Sequence, residues 1–145
     1  MNAITGLLDR TDAILVPYAD WAGAAFRVGL GVSFLIGGGY KIIEPAVYQA
    51  YFAPLFMALW PTAIIPLDLV FILAGIFEVL FGLLLLADWH TPTIAGLAVP
   101  WLAGTNMNFL VAIAQGEPTV DLLGLYVALM MMALGVALHA ARKRG

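Results

Sequence analysis

Cysteine is absent from the 145 residues, histidine occurs twice, and charged residues make up only 10% of the chain. The missing thiols exclude disulfide exchange, thiolate metal sites and iron–sulfur ligation. No glycine-rich nucleotide loop is present, and His90 and His139 both fall near a predicted interface rather than deep in a span. Haem, flavin and metal binding by a recognised motif are therefore not expected, and no metal site is assigned. The formal net charge is −3, with no basic stripe, which argues against nucleic acid as a partner. Strict alternation of apolar and polar residues is also missing, which argues against a β-barrel.

What remains is apolar: 63% hydrophobic residues and a mean hydropathy of +1.01. A spanning helix needs about 20 mostly apolar residues. Four stretches qualify, at about 21–41, 64–87, 92–114 and 120–141. The expected architecture is an all-α, polytopic four-helix membrane bundle with up-down-up-down topology, one domain over residues 1–145. The start of the chain carries Asp9, Asp12 and Asp20 and lacks a basic, cleavable leader, so no removable signal peptide is expected.

Ahead of the first span, Ile4, Leu7, Leu8, Ile14 and Leu15 share one helical face, which predicts an N-terminal interfacial helix ended by Pro17. Between the first and second spans, the aromatic stretch 42–63 is broken by Pro45, Pro54 and Pro61. It reads as an interfacial segment rather than a fifth crossing, or as a lid over a lipid-accessible pocket. Arg10 and the terminal run Arg142, Lys143, Arg144 outweigh Lys41 on the other flanks. The positive-inside rule then places both termini in the cytoplasm of a cell-membrane protein.

Charges inside spans carry the functional interest, because each costs roughly 2.5–3.5 kcal/mol at bilayer depth even on the mildest scale. Arg27 and Glu78 are the expected pair, with Asn108 preferred over Asn106 as the third member of an intramembrane polar cluster. Lys41 and Asp68, at similar depth, form an expected second polar pair nearer the outer interface. Gly29, Gly31, Ser33, Gly37 and Gly82 are expected packing positions where helices approach closely. Pro100 predicts a kink in the third span. Asp121 is expected at a helix start, where the macrodipole favours it.

The first span, "FRVGLGVSFLIGGGYK", and the second, "FEVLFGLLLL", together with four spans over nearly the whole chain, resemble the DoxX family of small membrane proteins. The resemblance carries over Arg27, Gly31, Lys41, Glu78 and Gly82, and nothing in the third and fourth spans. It implies a membrane protein associated with redox systems, with relatives that form the membrane subunit of a thiosulfate to quinone oxidoreductase.

The leading functional expectation is a membrane subunit of a redox-associated complex, at most a non-autonomous subunit of a quinone-linked oxidoreductase, offering a quinone or lipid pocket around Arg27 and Glu78. Its partners would be the lipid bilayer and other membrane or redox subunits, or further copies of itself. A structural or assembly subunit, in which the charged pair fixes helix register, is the alternative. A proton or ion pathway through Glu78, Asp68 and Asp121 ranks third, because these carboxylates sit at different depths.

Overall fold

A computed structural model describes residues 13–14, 16–48, 66–116 and 120–144. Four long helices run through them: α1 (Ala19–Ile43), α2 (Leu67–Leu86), α3 (Thr91–Ala114) and α4 (Val120–Arg144). All four are long and apolar enough to cross a bilayer. Their ends lie within three residues of the expected spans. The predicted N-terminal interfacial helix falls mostly outside the described residues, as does most of the 42–63 segment. Its described part extends α1 to Ile43 and adds a helical turn at 45–48, while Pro17 sits in a short 3-10 helix, Val16–Tyr18.

Neighbours around the bundle are antiparallel. Gly23 and Gly29 of α1 meet His139 and Met132 of α4, while Gly31 and Gly38 meet Gly82 and Gly75 of α2. Trp101 of α3 reaches Glu78 of α2, and Phe109 of α3 stacks on Tyr126 of α4. The order up-down-up-down follows, and two tight pairs, α1 with α2 and α3 with α4, make up most of the packing.

The α1/α2 seam is set by backbone contact. A Cβ on Gly38 would stand 2.6 Å from the Gly75 carbonyl oxygen, and one on Gly82 would stand 2.7 Å from that of Gly31. Without a hydrophobic driving force inside lipid, such close approach maximises dispersion between helices. The paired contacts are seven residues apart on both helices, so they lock one antiparallel register.

α2 ends in a Schellman arrangement: the Trp89 N–H donates to the Leu84 carbonyl and the Asp88 N–H to that of Leu85. Asp88 takes the left-handed position with φ 55°, where glycine is usual and aspartate is tolerated. Thr91 and Pro92 then open α3, with the Thr91 hydroxyl donating to Asp88 Oδ1 at 2.6 Å. α3 continues as one helix through Pro100.

The main core joins all four helices through Leu30, Phe34, Phe81, Leu85, Leu102 and Ala133, with small alanines filling between them. A second cluster, Phe71 with Phe109, lies toward the other end. Leu73, Leu80, Leu97, Met131 and Leu138 point outward, as lipid-facing positions should.

Candidate functional site

Glu78 lies near the middle of α2, about 16 Å along the axis from its first residue at 1.5 Å per residue. It is 3% exposed and its partner is Lys41, 5% exposed, whose ammonium contacts Glu78 Oε1 directly. The Trp101 indole N–H donates to the same oxygen at 2.8 Å. The other oxygen, Oε2, faces Gly37, where a Cβ would be 3.7 Å away. Buried charge of this kind survives only when paired and hydrogen-bonded, and here both conditions are met.

The expected Arg27–Glu78 pair does not form, nor does the Lys41–Asp68 pair. Helical side chains lean toward the N-terminus of their own helix. In the glycine-locked register Arg27 is level with about residue 86 of α2, so it leans toward the α2 end while Glu78 leans the opposite way. Lys41 is level with about residue 72, and its side chain and that of Glu78 lean toward each other. A Lys side chain closes the remaining offset, and Asp68 is left exposed in the first turn of α2.

Arg27 instead finishes α2. Its Nη1 donates to the carbonyls of Leu85 and, at 3.1 Å, Leu86, and its Nε is 3.7 Å from Asp88 Oδ1. Both carbonyls lie in the last turn of α2, where the Leu85 carbonyl also accepts the Asp88 N–H, and a cation at that end meets the negative pole of the macrodipole.

Asn108 does not join the cluster either: its amide donates to the Gly104 carbonyl of its own helix at 3.2 Å. Asn106 makes only a long contact to the Met130 sulfur, 3.8 Å. Both side-chain oxygens are buried without a hydrogen-bond partner.

Of the expected packing positions, Gly31 and Gly82 meet each other, whereas Gly29 makes an ordinary contact with Met132. Ser33 donates to the Gly29 carbonyl within its own helix at 2.9 Å, and Gly37 forms a floor beside Glu78.

An apolar pocket of about 500 Å³ opens between α1, the 45–48 turn and α4, bounded by Ile36, Tyr40, Tyr48, Leu122, Leu125 and Tyr126. A narrower cavity shares Ser33, Gly37, Tyr126 and Leu129 with it and reaches Glu78. The Tyr48 ring lies 5.1 Å from the Lys41 ammonium, within cation–π range. Burial, and after it the Glu78 charge, raises the Tyr48 phenol above its usual range and keeps it a neutral hydroxyl. The Tyr126 hydroxyl lines both cavities and Glu78 the inner one, so the route between them carries a donor and an acceptor among apolar walls.

Lys41 as the partner of Glu78, and Trp101 as its second donor, were missed in the sequence. The signal was present: Gly31 and Gly38, and Gly75 and Gly82, have the same spacing of seven on two successive spans. Pairing them antiparallel yields the register and hence Lys41.

A family model described as DoxX matches residues 23–112, more than half of the chain, and the chain belongs to that family. No match was found among curated proteins or among solved structures.

Proposed function

We propose that this DoxX-family membrane protein is a subunit of a redox-associated complex and contributes a pocket for a quinone that leads toward Glu78. The observation that supports this reading is the apolar pocket of about 500 Å³ whose inner cavity reaches Glu78. A quinone has an isoprenoid tail that needs apolar surroundings and carbonyl oxygens that need donors. The Tyr126 hydroxyl, which lines both the pocket and its inner cavity, supplies a donor, and Glu78 can accept or relay a proton. No residue set in the sequence matches a recognised electron-carrier motif, so electrons would come from a partner subunit. With the basic end in the cytoplasm, the pocket opens in the outer half of the bilayer.

The test is purification from the native membrane in mild detergent, with mass spectrometry of co-purifying polypeptides and quinones. The expected result is a stoichiometric redox subunit with quinone retained. Gly37→Leu, which plugs the neck beside Glu78, should lower quinone retention at least roughly tenfold, equivalent to ~1.4 kcal/mol, while the bundle stays folded. Unchanged retention in a folded Gly37→Leu protein would sink the pocket.

A second reading is favoured by the glycine contacts around the pair: Lys41 and Glu78 serve to hold α1 and α2 in register, as a structural subunit would require. Normal electron transfer in a complex carrying Lys41→Met with Glu78→Met would select this reading.

A further inference from the structure

At the end of the bundle opposite the pocket, the starts of α1 and α3 meet the ends of α2 and α4. Between them lies a polar cavity of about 190 Å³ that shares no lining residue with the route to Glu78. Its ionisable walls are Asp20, Arg27, Asp88, His139, Lys143 and Arg144. Lys143 Nζ is 2.8 Å from Asp20 Oδ1, and Arg27 Nε is 3.7 Å from Asp88 Oδ1. Arg144 has no acidic partner among the described residues. Leaving His139 aside, the walls thus carry one net positive charge.

Donors remain uncommitted on this wall. Arg27 spends Nη1 on two carbonyls and keeps three of its five N–H groups. Lys143 keeps two of its three, and Arg144 keeps its whole guanidinium. His139 Nε2 is shielded from solvent, makes no hydrogen bond and lies 3.4 Å from Asp20 Oδ1. The same end carries exposed Trp21 and Trp89, residues that settle at the depth of lipid headgroups.

We propose that this cavity binds a phosphodiester oxyanion supplied by the headgroup of a singly charged phospholipid. A tetrahedral oxyanion accepts from donors arriving from several directions, and guanidinium groups match phosphate geometry. One negative charge neutralises the one in excess on the walls. A zwitterionic headgroup brings no net charge to do so.

The full chain is reconstituted in nanodiscs of phosphatidylcholine with a minor fraction of phosphatidylglycerol, released into detergent, and its retained lipids counted by native mass spectrometry. Phosphatidylglycerol should be enriched over phosphatidylcholine. Arg144→Gln should cut that enrichment roughly fivefold, whereas Arg142→Gln, an equally basic neighbour that does not line the cavity, should change it less than about twofold. Equal losses in the two variants would reduce the effect to general attraction of a basic tail and overturn the site, as would absence of enrichment. Inorganic phosphate raising the unfolding temperature with no phosphatidylglycerol enrichment would overturn the lipid source. Both variants lie at the exposed end of α4, so a thermal unfolding profile like the parent's verifies that they fold.

Discussion

In the α1/α2 pair, Gly31, Gly38, Gly75 and Gly82 lie against the facing backbone, whereas on α3 and α4 Gly96, Gly104, Gly124 and Gly135 have nothing within 4 Å of where a Cβ would stand, among the described residues. The second pair is packed by large side chains instead, such as Phe109 against Tyr126 with ring centres 5.1 Å apart. Where backbones touch, a shift of one residue meets a clash, so register is held and long charged side chains arrive at one place. Side-chain packing is more forgiving. The Lys41–Glu78 pair sits on the rigid seam, and the apolar pocket takes much of its wall from Leu122, Leu125, Tyr126 and Leu129 of α4.

The largest effect that would break this contrast is at the charged pair. Lys41→Met leaves Glu78 buried without its cation and should cost about 3–5 kcal/mol, read from unfolding in detergent, while Lys41→Met with Glu78→Met recovers most of the loss. Next comes Gly38→Ala, whose new Cβ meets the Gly75 carbonyl, a shift of backbone rather than side chain, at about 1–3 kcal/mol. Its neighbour Gly37→Ala meets only Glu78 Oε2 at an ordinary 3.7 Å and should be tolerated. If the two alanine variants unfold alike, backbone contact does not set the seam.

Arg27→Gln removes the cation from the end of α2 and should cost about 1 kcal/mol, with amide exchange rising first in the Ala87–His90 turn. On the other pair the sign reverses: Gly135→Ala should raise stability by about 0.5–1 kcal/mol, because alanine is the better helix former and meets open space. Smallest is Asn106→Leu, near 0.6 kcal/mol or less in a thermal melt, since its amide makes only the long Met130 contact.

Much of the architecture is legible in the sequence alone. Length and apolarity of the four runs mark the spans, since an unpaired backbone in lipid leaves helices as the only open-chain solution. The burial of Glu78 was legible because a carboxylate in mid-span must turn inward. Its partner was not. Counting depth from the helix ends puts Arg27 within reach, but depth alone omits the direction in which each side chain leans. Asn108 fails for a related reason: an asparagine in a helix can donate its side-chain N–H to the carbonyl four residues back, and it does so to Gly104.

By itself, then, the sequence determined that its four long apolar runs form helices fit to cross a membrane and that Glu78 needs a partner, because both follow from the cost of exposing polar groups to hydrocarbon. Only the tertiary structure decided that the partner is Lys41 and that Arg27 finishes α2. Those outcomes depend on two antiparallel helices held in one register by glycine contacts, which sets which side chains lean together and which lean apart.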